Sequence, residues 1–218
     1  MRIVCAASVL GGREAFSTLG ETVVLPDRAI DREALRKADA LVIRSKTPVT
    51  APLLEGTPVR YVGTATAGFD HIDTAAMASA AVRWYAAAGC NAESVAEYIT
   101  AALLLLARRT GQPLRGRRIG VIGVGQVGRR VARNARALGM DVLPNDLPRR
   151  LAEGNRAPEL IDLDAVLPRA EIVTLHTPLT DDGPFPTRGM AGEAWLASLP
   201  RGACGACRAG RLGQRAGD

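Results

Sequence analysis

The sequence predicts an α/β protein of two bodies, each built on a parallel sheet. Three observations carry this reading. Short apolar runs alternate with helix-compatible segments over residues 1–90. A long apolar stretch at 93–109 interrupts them, and a second alternation then opens on a glycine-rich turn between a strand and a helix. Strands spaced by helices in this way form parallel sheets with right-handed crossovers.

Ile3-Val4-Cys5-Ala6, Thr22-Val23-Val24-Leu25, Ala40-Leu41-Val42-Ile43 and Arg60-Tyr61-Val62-Gly63 read as four strands, and Val82-Arg83-Trp84-Tyr85 as a fifth. Residues 13–19, 31–37, 50–55 and the Ala-rich 74–79 are helix candidates between them. Ser94-Val95-Ala96-Glu97 has the form of a capping box and would open the long helix. Residues 103–106 are apolar on every side, as in a helix buried between two bodies. Arg108 and Arg109 suit its C-terminal dipole, and Thr110-Gly111-Gln112-Pro113 ends it. In the second alternation, Arg118-Ile119-Gly120-Val121-Ile122 is a strand, 126–138 a helix and Met140-Asp141-Val142-Leu143 a strand. A short helix at 162–167 and a strand at 171–175 follow. The expected organisation is a first domain over 1–95, a second over 96–203 and a tail of different character over 204–218.

The 218 residues are 47% hydrophobic and 23% charged, which excludes a collagen-like or wholly disordered chain. The apolar run at 99–107 is far shorter than the ~20 residues of a membrane span. No signal-like segment follows Met1 and Arg2. A cytoplasmic place and no membrane partner are expected. The net charge is +6, but residues 201–218 hold four arginines and one aspartate, which is half of that excess. No earlier stretch interleaves basic with aromatic residues, so a nucleic-acid partner is not expected. Cys5 lies in an apolar strand and reads as a buried thiol. Cys204-Gly205-Ala206-Cys207 has half-zinc spacing, yet His71 and His176 lie in unrelated segments, so no metal site is expected.

Gly123-Val124-Gly125-Gln126-Val127-Gly128 is a G-x-G-x-x-G run. A strand precedes it, a helix follows it, and the next strand ends at Asp146, close to the ~20-residue spacing of a dinucleotide fold. Gly123 permits the tight turn, Gly125 lets backbone approach a pyrophosphate, and Gly128 allows close helix–strand packing. The helix N-terminus favours the phosphates. Asp146 can accept from an adenosine ribose and would repel a 2′-phosphate, which favours NAD over NADP. Arg149 and Arg150 leave that choice open, because arginines there can accommodate the phosphate.

Three further segments carry a family resemblance: residues 62–73 (Val-Gly-Thr-Ala-Thr-Ala-Gly-Phe-Asp-His-Ile-Asp), 89–98 (Gly-Cys-Asn-Ala-Glu-Ser-Val-Ala-Glu-Tyr) and 175–180 (Leu-His-Thr-Pro-Leu-Thr). Together with the glycine-rich run they resemble the D-2-hydroxyacid dehydrogenases, over residues 1–203. The turn at 63–68, and Asp182-Gly183-Pro184-Phe185 followed by Thr187, are similar to a branch acting on a phosphorylated four-carbon 2-hydroxy acid. The resemblance implies a flavodoxin-like substrate domain followed by a Rossmann NAD-binding domain, here incomplete. It implies NAD-dependent oxidation of a small phosphorylated 2-hydroxy acid to its 2-oxo acid, and a homodimer. By motif, Ser45 and Thr66 match substrate-binding residues, Gln126 and Val127 the pyrophosphate contact, Asp146 the ribose contact, and Thr177 an NAD contact. Local turn bonding is the alternative reading of Ser45 and Thr66. A sibling enzyme acting on phosphoglycerate or glyoxylate, and a non-catalytic NAD-binding remnant, stay open.

In that family a histidine paired with a glutamate takes the hydroxyl proton, and an arginine holds the substrate carboxylate. The histidine and glutamate are expected beyond Asp218, so no catalytic residue is assigned and little turnover is expected. Arg208 is a weak candidate for the arginine, because Asn is absent ahead of it and Ala209 stands where a glycine is expected. Of residues 202–218, 14 of 17 are Gly, Ala, Cys or Arg, as a shifted frame through GC-rich DNA would give, and the shift is expected near residue 203.

Overall fold

Apolar side chains on both faces of short strands set the first sheet. The computed structural model describes residues 1–181 and 183–206. It divides into two units, Met1–Cys90 and Asn91–Asp218. In the first unit the strands are β1 (Arg2–Ala6), β2 (Glu21–Leu25), β3 (Ala40–Ile43), β4 (Tyr61–Thr64) and β5 (Arg83–Ala86). All pairs are parallel, in the order β2-β1-β3-β4-β5, the flavodoxin-like arrangement. Val4, Ala6, Leu41, Ile43 and Val62 enter one buried cluster, and Ile3, Cys5, Ala40 and Val42 enter another. This alternation is the period-two signature of a sheet covered on both sides. Cys5 is a fully buried free thiol whose pKa burial raises.

The first unit's helices are α1 (Gly12–Ser17), α2 (Ala51–Leu54) and α3 (Thr74–Ser79). Asp73 caps α3 by accepting the Ala76 amide at 2.9 Å. The helix expected at 31–37 is absent. Leu35, Arg36 and Ala38 bond three residues back instead, at 3.3, 3.2 and 3.0 Å, and the Asp31 carboxylate takes the Ala34 amide. Leu35 is the one buried residue in that span, so no apolar stripe holds a longer helix in place.

The second unit has β6 (Arg118–Ile122), β7 (Asp141–Asn145), β8 (Ile172–Leu175) and β9 (Cys204–Ala206), all parallel in the order β7-β6-β8-β9. Its helices are α4 (Ala92–Thr110), α5 (Gly128–Ala137), α6 (Leu147–Glu153), α7 (Leu163–Val166) and α8 (Glu193–Ala197). Residues of α4 and α5 pack on Ile119, Val121 and Ile172, while Val166 of α7 packs with Ile122, Val173 and Leu175. A Cβ at Gly120 would lie 2.8 Å from a Val166 methyl, so this glycine lets α7 lie close to the sheet. The outer edge of β7 is not bare, because Ile161 donates its amide to the Pro144 carbonyl at 2.8 Å. Among the described residues no helix is long and apolar enough to cross a membrane.

The structure corrects four expectations. The capping box at Ser94 does not form, because α4 already starts at Ala92 with Asn91 at its N-cap. The Cys90 amide bonds Ala87 and the Val95 amide bonds Asn91, so the preceding turn has committed the chain to helix before Ser94. Residues 92–95, placed above in the first domain, are the opening turn of a helix in the second unit. Nor is α4 buried all round. Ala92, Ala96, Ile99 and Leu103 are buried along one stripe, while Leu104 is 51% exposed and Leu105 39%. Residues 204–206, read as the start of an irregular tail, form β9 in register with β8, from Ile172 opposite Cys204 to Thr174 opposite Ala206. A strand added at a sheet edge is held by backbone groups, which any non-proline sequence supplies. Cys207 and Arg208, and the rest of the expected tail, lie outside the described residues.

Candidate functional site

The β6–α5 turn gathers Gly123, Gly125, Gln126, Val127 and Gly128. Gly123 has φ of 88°, and a Cβ there would lie 2.8 Å from the His176 carbonyl carbon and 2.9 Å from the Thr177 nitrogen. Only glycine lets the end of β6 pass so close to the end of β8. A Cβ at Gly128 would lie 1.9 Å from the Gly123 carbonyl oxygen, so α5 packs directly on the turn. Gly125 differs, because a Cβ there would meet nothing within 4 Å. The amides of Gly125, Gln126, Val127 and Gly128 have no acceptor among the described residues. Unpaired donors at a helix N-terminus, beside a residue that borders open space, match the needs of a pyrophosphate.

Arginines surround this turn. The Gln126 side-chain oxygen accepts from Arg129 and from Arg130, the latter at 3.1 Å, and Arg130 also bonds the Gln126 carbonyl at 2.7 Å. Arg130 and Arg133 reach Glu93 of α4 at 2.9 and 2.6 Å. Hydrogen bonds from Arg133 and then Arg130 hold the Glu93 carboxyl below its usual pKa.

Asp146 stands just past β7 and ties two elements together. One carboxylate oxygen accepts the Val124 amide at 2.9 Å, and the other accepts the Arg149 amide at 3.2 Å and so caps α6. Its neighbour Asn145 is buried, accepts the Gly123 amide at 2.7 Å and donates its side-chain amide to Ile161 at 2.7 Å. The strand thus ends one residue before Asp146, and that last step turns the carboxylate toward the glycine-rich turn. Val124 and Asn145 were not singled out from the sequence. A polar side chain closing an apolar strand, as Asn145 does, was the available signal.

Thr177 follows β8, beside Gly123, and its hydroxyl points at the Met190 sulfur at 3.9 Å. The loop after it is fastened by Thr180 and Thr187: Thr187 accepts the Thr180 amide at 2.9 Å and donates to the Pro178 carbonyl at 2.5 Å. His176 bonds Thr174 at 2.9 Å, and burial lowers its pKa to about 4, so the imidazole is neutral at neutral pH.

In the first unit, Ser45 and Thr66 lie at equivalent places, each two residues beyond the paired Ile43 and Thr64 at the C-terminal ends of adjacent strands. Ser45 is exposed. Thr66 is half-buried, and its hydroxyl donates to the Gly68 carbonyl at 2.8 Å and meets the Thr64 hydroxyl at 2.6 Å. Thr64 in turn meets His71 Nε2 at 3.0 Å. All three bonds coexist only if His71 Nε2 donates to Thr64, Thr64 to Thr66, and Thr66 to Gly68. His71 is half-buried and bonded, and burial lowers its pKa while Asp70 raises it.

Residues 66–205 match the family model described as D-isomer specific 2-hydroxyacid dehydrogenase, NAD binding domain. The chain is 46% identical over 203 residues to an erythronate-4-phosphate dehydrogenase of Pseudomonas syringae pv. tomato, covering 93% of this chain and 53% of that protein. It is 45% identical over 210 residues to the enzyme of that name from Salmonella paratyphi B, covering 95% of this chain and 55% of that one. The chain thus spans about half the length of the curated relatives it matches. In fold it is similar to the NAD+-bound 3-phosphoglycerate dehydrogenase of Entamoeba histolytica, with a TM-score of 0.78 at 24% identity over 95% of this chain and 71% of that one. It is also similar to the D-lactate dehydrogenase of Aquifex aeolicus complexed with NAD and lactic acid, with a TM-score of 0.72 at 22% identity over 90% and 66%. From the family match and the geometry of the glycine-rich turn together, the chain belongs to the D-isomer specific 2-hydroxyacid dehydrogenase family.

Proposed function

We propose that the chain serves the NAD-dependent oxidation of 4-phospho-D-erythronate to its 2-oxo acid, a step of pyridoxal 5′-phosphate biosynthesis. The observation that carries this reading is the β6–α5 turn: four unpaired amides, an open face at Gly125, and Asp146 locked against Val124. Relatives of 45–46% identity bear the name of that substrate. When bound, NAD supplies the acceptor for the hydride leaving C2 of the hydroxy acid. The chain's residues bind and orient: Gly125, Gln126, Val127 and Gly128 the pyrophosphate, Asp146 the ribose, Thr177 the cofactor, and Ser45 and Thr66 the substrate.

The proton of the C2 hydroxyl needs a base. His176 is half-buried and bonded to Thr174, and His71 donates its Nε2 proton into the threonine relay, so neither is placed to serve. The chain is accordingly expected to bind NAD and to turn over slowly or not at all by itself. The test has two parts. Calorimetric titration with NAD should show one saturable site, and its absence would remove the reading. Where turnover is restored by the remaining length of a relative, 4-phospho-D-erythronate should be preferred over 3-phosphoglycerate and glyoxylate. The opposite preference would assign the chain to a sibling enzyme.

A further inference from the structure

Arg149 and Arg150 stand three and four residues after the ribose-contacting Asp146, where a guanidinium could receive a 2′-phosphate. The structure directs both elsewhere. Arg149 Nε donates to Glu153 at 2.8 Å, one turn along α6, and its Nη2 lies 4.0 Å from Glu159. Arg150 pairs with Asp162, ahead of α7. Asp146, meanwhile, takes the Arg149 backbone amide and leaves the side chain free to turn away. Each cation beside the ribose site thus has a carboxylate of its own within α6 or the segment after it.

We propose that Glu153, with Glu159 and Asp162, sets cofactor choice by withholding Arg149 and Arg150 from a 2′-phosphate, as a second determinant behind Asp146. This rests on the NAD site described above. The direct effect of Asp146 is repulsion of the phosphate. The effect of the three outer carboxylates is competition: an NADP phosphate gains Arg149 only by displacing Glu153. The Arg149 and Glu153 side chains are 37% and 35% exposed, so this competition takes place partly in water and is worth a modest factor. The raised pKa of Arg149 and the lowered pKa of Glu153, each caused first by their mutual hydrogen bond, agree with an engaged pair.

The experiment is calorimetric titration of the 218-residue chain with NAD and, separately, NADP. Five proteins are compared: the parent, Glu153→Gln, Asp146→Ser, the double variant, and the double variant carrying Arg149→Ala. Serine keeps an N-cap for α6, and glutamine keeps the shape of Glu153 without its charge. Glu153→Gln is expected to raise the NADP:NAD affinity ratio by about fivefold in the Asp146→Ser background, with NAD affinity unchanged. Arg149→Ala should erase that gain. A ratio that stays within about twofold of the Asp146→Ser value overturns the proposal while NAD binding by the parent leaves the site reading intact. A gain that survives Arg149→Ala overturns it as well. A parent that binds neither nucleotide overturns both readings.

Discussion

The carboxylate of Asp146 accepts the amide of Val124 at 2.9 Å, so the residue read as a ribose ligand also holds the glycine-rich turn from behind. Its second oxygen caps α6 through Arg149. Asp146→Ala removes both bonds and leaves an amide of the turn without its acceptor. Loss of a cap and of one charge-assisted bond together costs about 2 kcal/mol. A lower urea midpoint with unchanged slope is expected, along with weaker NAD binding. Asp146→Asn, which keeps an acceptor oxygen, should recover most of the stability. Equal stability of parent and Asp146→Ala would show that the two bonds are not formed in solution.

The three glycines of the turn separate folding from binding. Gly128→Ala places a methyl 1.9 Å from the Gly123 carbonyl oxygen, so α5 must shift, and both stability and NAD affinity are expected to fall. Gly125→Ala meets no protein atom within 4 Å. Its thermal midpoint should stay close to the parent's, while NAD affinity drops at least about tenfold because the methyl occupies the space a pyrophosphate needs. Thermal melts and NAD titrations of the two variants check this contrast. NAD affinity unchanged in Gly125→Ala would place the phosphates elsewhere.

Much of this turn was legible in the sequence because its constraints are local. Glycine at fixed spacings between a strand and a helix encodes backbone geometry that neighbouring residues alone decide, and Asp146 follows from the length of one β-α-β unit. What was not legible depends on residues far apart in the chain. The Glu93 pairs with Arg130 and Arg133 join the start of α4 to the first two turns of α5, and the Asn145 bond to Ile161 depends on how the segment after α6 returns. The missing helix at 31–37 had acceptable local propensity and failed for want of an apolar stripe. The capping box failed through a turn that had already started the helix. The role of His71 was hidden because its partner Thr64 stands seven residues back, at the end of β4, and only the fold of the intervening turn brings the ring to it.

The relay through Thr64 has a measurable consequence. Thr64 is 3% exposed and its hydroxyl links His71 to Thr66. Thr64→Val keeps the shape and strand preference but strands the Nε2 proton of His71 and one lone pair of Thr66. Leaving a buried polar partner unsatisfied costs about 1–2 kcal/mol. Nitrogen-15 NMR of the parent should show His71 as the Nε2-protonated tautomer, and Thr64→Val should shift the two ring nitrogens toward a mixture. An Nδ1-protonated parent would reverse the relay, with Thr66 donating to Thr64 and Thr64 to His71, and the Gly68 carbonyl would lose its donor.

Acid should loosen the second unit before its carboxylates titrate. Burial lowers the pKa of His176 to about 4 from an ordinary 6.5, so the folded chain favours the neutral ring. Between these values the unfolded chain binds a proton that the folded chain refuses, so stability rises with pH across the window and is lost as pH falls from 6.5 toward 4. His71, also lowered by burial, acts with the same sign. Glu93, Glu153 and Glu171 have lowered values, and their contributions are lost only as pH falls below their usual 4.5. The slope above that point therefore belongs to the histidines. His176→Gln retains a side-chain donor toward Thr174 and removes the titration. Urea unfolding at about pH 7 and about pH 5 should show a loss on the order of 2 kcal/mol smaller in the variant than in the parent. Parallel losses in the two proteins would mean that His176 accepts its proton in the folded state, and that its bond to Thr174 does not exclude water from the ring.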